Sequence, residues 1–354
     1  MSDTAGAADE AAEAAGLRYV TSAEPGIGRR RVGRGFRYVD AEGQTVRNPE
    51  SLDRIRLLAI PPAWREVWVC SDARGHLQAL GKDARGRTQY LYHPDFRAVR
   101  DHAKFEHMLD FARALPAIRK RVAADMARPG LGRDKVLATV VHLLETTMIR
   151  VGNRDYAAAN RSYGLTTLRN RHVSLAGHGV RFHFKGKSGR EWRVSVRDRR
   201  AARIVRALQE LPGQLLFQYA DDEGDLQAVT SADVNAYLRE ISGAEVTAKD
   251  FRTWAGTVLA AGAFAARGAD DAGSSKRGAA EVIAEVASSL GNTPTICRKC
   301  YVHPHLVEAY LNGGLALQIE AEKGDELGLD PQEAAVLAFL EQRANRTEQA
   351  RTGA

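Results

Sequence analysis

Val173-Ser-Leu-Ala-Gly-His-Gly-Val-Arg-Phe-His-Phe-Lys-Gly-Lys-Ser-Gly-Arg-Glu-Trp-Arg-Val-Ser-Val196 is the stretch that decides the fold. Val173 and Leu175, then Val180, Phe182 and Phe184, then Trp192, Val194 and Val196 alternate with polar residues, the period of strands with one buried face. Short Gly-containing turns join the three strands into a small antiparallel sheet. The last turn, Gly186-Lys-Ser-Gly189, displays Lys187 at a hairpin tip. On both sides the apolar period lengthens to that of helices. Val136, Val140, Leu144 and Met148 mark a helix expected to deliver Arg150 near its end. After the sheet, Thr230 or Ser231 caps a helix that buries Val234, Tyr237, Leu238 and Ile241 and stops at Gly243. Thr247 and Asp250 read as a capping box for the next helix, which carries Lys249 and Arg252 in its opening turns and then becomes rich in Ala and Gly. Ala269–Ser275 reads as a polar loop. Val282, Val286 and Leu290 define a further helix, closed by Gly291-Asn292. Thr293-Pro294 restarts a short helix with a cap and an N1 proline; Tyr301 rides it and Pro304 limits it. One more helix is expected from Asp330-Pro331 to about Arg343.

Toward the N-terminus the texture is β. Phe36-Arg-Tyr-Val39 and Thr45-Val46 flank a turn at Ala41–Gln44, and Val67–Cys70 is separated from Leu77–Leu80 by Asp72-Ala-Arg-Gly75. Ile60-Pro-Pro-Ala-Trp64 is a connector, and a turn at Lys82–Arg87 leads into Thr88-Gln-Tyr-Leu-Tyr92. The fold class is therefore α+β: a small antiparallel β N-terminal domain, then a mainly α-helical domain containing a small sheet. The expected divisions are a disordered leader at 1–16, a β-rich domain at 17–95, a helical domain at 96–345 and a tail at 346–354.

Charge points to the partner. The chain of 354 residues carries a net +7, and residues 17–100 hold 16 Lys/Arg against 9 Asp/Glu. A polyanion is the natural partner of such a surface. Arg74, Lys82, Arg85, Arg87, Tyr90 and Tyr92 lie on loops and a strand from which cations grip a phosphate backbone and rings stack on bases. The alternative is a solvated basic face with two core tyrosines. Three cysteines, Cys70, Cys297 and Cys300, are too few for a disulfide framework, so a reducing cytoplasm is expected. The first sixteen residues lack the basic start and apolar core of a signal peptide, and no segment is long enough to span a membrane.

Breaking a phosphodiester requires neutralising the charge of a pentacoordinate transition state and protonating a poor leaving group. Arg150 and Arg252 suit the first task, and Lys187 at a hairpin tip suits the second. Asn292 offers a neutral donor, and Tyr301 a nucleophile for metal-free covalent catalysis. Each taken alone has an ordinary structural reading: a capping Arg, a solvated turn Lys, a core Tyr. Cys297, Cys300, His303 and His305 also form C-x2-C-x2-H-x-H, which admits a zinc-containing, non-catalytic DNA-binding module.

Ile149-Arg-Val-Gly152, Tyr163-Gly-Leu-Thr-Thr-Leu-Arg-Asn170, Phe184-Lys-Gly-Lys187, Lys249-Asp-Phe-Arg-Thr253 and Gly291-Asn-Thr-Pro-Thr-Ile-Cys-Arg-Lys-Cys-Tyr301 resemble, in order and context, the signatures of type IB DNA topoisomerases of the bacterial and poxvirus-like group. Ile60–Trp64 and Gly81–Tyr90 are similar to that group's N-terminal domain, and the resemblance spans roughly 17–315. It implies a DNA breaking-rejoining fold in which Tyr301 forms a 3′-phosphotyrosine, Arg150 and Arg252 clamp the phosphate, and Lys187 is the general acid. It also places Lys249 and Tyr156 at the DNA. Many members have His where this chain has Asn292, so no acid role is available there and oxyanion stabilisation remains. The implied activity is relaxation of double-stranded DNA by a monomeric clamp acting at the nucleoid, with no cofactor. No G-x-x-x-x-G-K-[ST] nucleotide loop is present. A site-specific tyrosine recombinase uses the same Arg, Lys and Tyr logic. The β-rich N-terminal half and Lys-Asp-Phe-Arg252, in place of His-x-x-Arg, weigh against it.

Overall fold

The structure is a computed structural model that describes residues 2–221, 223–267, 276–313, 315, 317 and 328–352. It divides into two compact units, 1–106 and 107–354.

In the first unit α1 (Ser2–Ala14) is followed by a five-stranded antiparallel sheet in the order β2-β1-β3-β4-β5. Its strands are β1 (Gly26–Val32), β2 (Gly35–Val39), β3 (Arg65–Cys70), β4 (Leu77–Lys82) and β5 (Thr88–Tyr92), and α2 (Pro49–Leu57) intervenes after β2. Ile27, Ile55, Ile60, Val67, Val69 and Ala79 form its core. The β3, β4 and β5 strands lie where alternation placed them. By contrast, β1 was not legible, because Arg29-Arg30-Arg31 breaks any apolar period. Those arginines pair only with β2, since β3 meets β1 at Gly26–Gly28 alone. The expected partner of β2 around the Ala41–Gln44 turn is reduced to one bridge, Val39 to Thr45.

The leader expected to be disordered is helical. Ala-rich sequence favours a helix, Ala12 is buried, and the segment after the helix is tied down by a bridge between Arg18 and Gly75. The unit boundary falls at Glu106/His107 rather than at 95/96. α3 (Pro94–Ala127) is continuous across it, and its first turns belong to the β unit, where the Phe96 ring packs 4.7 Å from His76 and 5.4 Å from Tyr92.

In the second unit α4 (Arg133–Thr147) and α5 (Arg154–Asn160) precede the sheet read from Val173–Val196: β6 (Val173–Ala176), β7 (Gly179–Lys185) and β8 (Glu191–Arg197), antiparallel in the order β6-β7-β8. Val180, Phe182, Phe184 and Trp192 face inward. α6 (Arg199–Gln209) follows, then a small hairpin of β9 (Gln218–Ala220) and β10 (Leu226–Ala228), then α7 (Ser231–Ser242) capped by Thr230 and stopped by Gly243. α8 (Ala248–Ala266) begins with the expected capping box, in which the Thr247 amide and hydroxyl both donate to Asp250 at 2.8 Å. α9 (Lys276–Ser289), α10 (Pro294–Cys300), α11 (Pro304–Leu311) and α12 (Pro331–Thr352) complete the unit. The loop expected at Ala269–Ser275 lies outside the described residues. The last helix runs well past Arg343 and takes up most of the segment expected to be a tail.

The core that supports the C-terminal part of this unit joins Ala260 and Phe264 of α8, Val282, Val286 and Leu290, Cys297, Val302 and Tyr310. Burial of this apolar surface fixes α8, α9 and α10 against one another, and the candidate residues sit at their ends.

Candidate active site

Arg150 is not on a helix. Met148 adopts a left-handed conformation (φ 57°) that stops α4, and Arg150 lies in the extended segment beyond it. This corrects the expectation that the helix itself carries it. The turn is held by side chains, since Ile149 N donates to Thr147 Oγ1 at 3.2 Å. Gly164 then packs so closely against Arg150 O and Gly152 that a Cβ there would stand 2.5 Å from the Arg150 carbonyl. Leu165 N donates to that carbonyl at 2.9 Å and Thr166 N to Val151 O at 2.7 Å. The Tyr163-Gly-Leu-Thr-Thr motif is thus a backbone clamp on the Arg150 segment.

Arg252 enters from the first turns of α8 and is 3% exposed. Its guanidinium donates to Met148 O and, at 2.5 Å, to Leu290 O. Those carbonyls end the stretch before Arg150 and the helix before Asn292, so one buried cation ties three elements together. Its guanidinium carbon stands 5.3 Å from the centroid of the Tyr301 ring. Burial pushes the Arg252 pKa down to about 10 and neighbouring Arg150 pushes the same way, while Tyr301 partly opposes them. Arg252 therefore remains charged at neutral pH. Its buried Nε–H has no partner among the described residues.

Asn292 follows α9 in a Schellman turn. Gly291 takes the left-handed position (φ 63°), Asn292 N donates to Ala287 O at 2.8 Å, and Gly291 N to Ser288 O at 3.1 Å. The left-handed conformation that ends the helix belongs to Gly291, which leaves the Asn292 side chain for other work. Its Oδ1 accepts from Arg150 Nη2 at 2.5 Å. With the oxygen held by Arg150, the amide N–H2 is the end left to donate; its contact with Leu290 O is long, at 3.5 Å.

Tyr301 is the C-cap of α10 rather than part of its body. Its carbonyl accepts from Thr257 Oγ1 at 3.2 Å, and a Cβ on Gly256 would stand 2.6 Å from it, so the Ala/Gly-rich surface of α8 allows this close approach. Pro304 does more than limit the preceding helix, because it is the first residue of α11, capped by His303. Lys187 is exposed at the β7–β8 hairpin tip as expected. Arg150 thus contacts Asn292 and Arg252 contacts Tyr301, and the two pairs are brought together by the bonds of Arg252 to the Met148 and Leu290 carbonyls; among the described residues Lys187 connects to them through the hairpin that bears it.

Lys249 is exposed on the first turn of α8. Tyr156 is half-buried at the start of α5, its amide held by the Asn153 side chain at 2.9 Å.

In the N-terminal unit the six candidates divide. Tyr90 is exposed and stacks on Tyr92 at 6.0 Å, whereas Tyr92 is half-buried among His76 and Phe96. Lys82 pairs with Glu66, Arg87 pairs with Asp83 at 2.7 Å, and Arg74 donates to Gly16 O. Asp83, bonded by the Arg87 side chain and by the Arg85 and Arg87 amides, is held down at about 2. Arg85 is the exposed cation at the apex of that turn.

The Cys/His pattern does not gather into a metal site. Cys297 is sealed in the core, and His303 Nδ1 accepts from His305 N at 3.1 Å. Among the described residues, the metal-capable cluster is Asp221, Glu223 and Asp225. Two residues that sequence reading passed over, Arg190 and Trp192, contact the Asn292 turn. Trp192 registered only as a strand residue, and Arg190 gave no signal.

A β-rich N-terminal unit precedes a helical unit that holds a three-stranded sheet and an Arg/Arg/Asn/Tyr cluster. Residues 93–323 match the family described as eukaryotic DNA topoisomerase I, catalytic core, and residues 35–83 match that described as bacterial DNA topoisomerase IB, N-terminal domain. The chain is 31% identical over 295 residues to DNA topoisomerase 1B of Acanthamoeba polyphaga mimivirus, covering 81% of this chain and 88% of the relative. The chain belongs to the type IB DNA topoisomerase family, an isomerase family acting on DNA. No helix among the described residues is long and apolar enough to cross a membrane.

Proposed function

We propose that the protein relaxes supercoiled duplex DNA without ATP, by cutting one strand through a 3′-phosphotyrosine at Tyr301 and resealing it. The observation that carries this reading is the joining of Arg150 to Asn292 and of Arg252 to Tyr301 in one cluster built from four segments of the chain.

In the cleavage step Tyr301 Oη bonds to phosphorus as the bond from phosphorus to the 5′ oxygen breaks. The phenolic proton passes to water, and Lys187 supplies a proton to the departing oxygen. Arg150, Arg252 and the Asn292 amide stabilise the added negative charge on the nonbridging oxygens, the task for which buried, preorganised donors are most effective. Religation is the reverse, with the 5′-hydroxyl as nucleophile. Stored torsion drives the net reaction, so no nucleotide is required. The basic N-terminal unit and the helical unit act as a monomeric clamp on the duplex, at the nucleoid in the cytoplasm.

The test is incubation with supercoiled plasmid in EDTA without ATP, followed by denaturant quenching. Relaxed topoisomers and a covalent adduct with a free 5′-hydroxyl end are expected. An adduct on the 5′ end, or a strict requirement for ATP, would overturn the reading.

A further inference from the structure

The contacts around the β7–β8 hairpin reach beyond the four clustered residues. Gly186, immediately before Lys187, is buried; a Cβ there would stand 2.7 Å from Cδ1 and Nε1 of Trp192. The far edge of the same indole meets Gly291, immediately before Asn292, where a Cβ would stand 2.5 Å from Trp192 Cζ2. The ring is therefore wedged between the glycine that precedes Lys187 and the glycine that precedes Asn292. A second tie runs beside it. Arg190 Nη2 donates to Ser288 O at 3.2 Å and Nη1 reaches Asn292 O at 3.5 Å, placing a cation between the C-terminal end of α9, where the helix dipole favours it, and the turn that follows. Gly186 N donates to Arg190 O at 2.8 Å, so Arg190 is bonded back to the turn that carries Lys187.

We infer that Arg190 and Trp192 form a latch holding the Lys187 hairpin on the Gly291-Asn292 turn, and that they are positioning residues for proton delivery to the leaving oxygen. The inference rests on the reading of Lys187 as general acid. Lys187 is exposed, on a turn containing Gly186 and Gly189, and among the described residues nothing in its own side-chain contacts fixes it. An acid must come within hydrogen-bond reach of the oxygen it protonates, and a misplacement of about 1 Å costs up to about 10²-fold. The latch supplies that accuracy by referring the acid to the turn that holds the oxyanion donor.

Single-turnover cleavage of a DNA with the ordinary 5′ bridging oxygen, and of the same DNA with a 5′ bridging sulfur, tests this in the full-length protein. Sulfur leaves without protonation, so a fault in acid delivery disappears on that substrate while a fault in folding or DNA binding persists. Arg190 is exposed, and Arg190→Ala is expected to fold normally and to slow cleavage of the oxygen substrate by about 10- to 10²-fold, with near wild-type rates on sulfur. Arg190→Lys, which keeps the charge but not the two-carbonyl fork, should recover part of the loss. Gly186→Ala, whose backbone (φ −94°, ψ −164°) suits alanine, should show the same sulfur rescue because its methyl displaces Trp192. Lys187→Ala is the control. If it is not rescued by sulfur, the acid reading falls and the latch with it. If Lys187→Ala is rescued but Arg190→Ala is slow on both substrates, or as fast as wild type on both, the latch is overturned while the acid reading stands.

Discussion

The Arg252 guanidinium carbon stands 5.3 Å from the centroid of the Tyr301 ring, with Arg252 itself held by the Met148 and Leu290 carbonyls. That contact is made to the ring and survives removal of the hydroxyl. Tyr301→Phe is therefore expected to keep the site packed, with unchanged thermal stability and DNA affinity, while abolishing relaxation and the covalent adduct. Electrophoresis of denaturant-quenched reactions reads the adduct, and its persistence in the variant would move the nucleophile elsewhere.

Asn292 presents its oxygen to Arg150, so substitutions there separate holding Arg150 from donating to the substrate. Asn292→Asp retains an acceptor for Arg150 and loses the N–H2 group; Asn292→Ala loses both. If donation matters, both variants lose about 10²–10³ in single-turnover cleavage, the effect of deleting one oxyanion donor. Near-normal cleavage by Asn292→Asp would mean that the residue serves only to orient Arg150.

In the N-terminal unit the cations are not equivalent. Lys82 and Arg87 are paired with Glu66 and Asp83, whereas Arg85 projects from the turn apex. Arg85→Ala is expected to reduce the slope of log K against log salt by about 0.9; Lys82→Ala, whose charge is already matched, should change it less. Filter binding across a salt series decides, and equal slopes in wild type and Arg85→Ala would place Arg85 off the DNA.

Acid should loosen the segment that leads into β6. His172 Nδ1 accepts from Arg169 N at 3.1 Å, and its ring lies 4.4 Å from that of Tyr163. Burial, with Arg171, Arg169 and His183 nearby, lowers its pKa to about 4 from the usual 6.5. A histidine whose folded-state pKa is depressed binds its proton more readily when unfolded, so this stability is complete above about pH 6.5 and falls as pH drops toward about 4. Urea unfolding from pH 7.5 to 4.5 should show that loss, and His172→Gln, which keeps an acceptor but does not titrate, should flatten that part of the profile. An unchanged profile would assign the acid lability to other groups.

The C-terminal helix is a support for α8. Glu333 is 6% exposed and accepts from Arg119 through both oxygens (2.8 and 2.9 Å) and from Trp254 Nε1 at 3.1 Å, two residues beyond Arg252. Gln332 adds a bond to Val258 O at 2.7 Å. Glu333→Ala leaves a buried indole N–H without this partner and a half-buried guanidinium with Glu145 alone, and should cost about 1.5–3 kcal/mol of stability, read as a shift of the urea midpoint. A shift smaller than about 1 kcal/mol would mean that α12 contributes little to the unit.

The sequence by itself determined what local chemistry determines. The period-two run at Val173–Val196, the Thr247/Asp250 box, the Gly243 stop and the Thr293-Pro294 start are each written within a few residues, and each element stands where those signals put it. The short contexts around Arg150, Lys187, Arg252, Asn292 and Tyr301 could be read for the same reason, whereas their catalytic roles are a proposal. Elements lacking such a signal were not legible: β1, whose Arg29–Arg31 run has no apolar face, and α1, after which the chain is held by a bridge from Arg18 to Gly75 far along the sequence. Tertiary structure alone decided that Arg252 would be buried, that Arg150 would hold Asn292 across 142 positions, and that Trp192 would lie between Gly186 and Gly291. Such contacts depend on volumes and carbonyl directions contributed by segments far apart in the chain. No periodicity encodes them, and only the packed core brings them within reach.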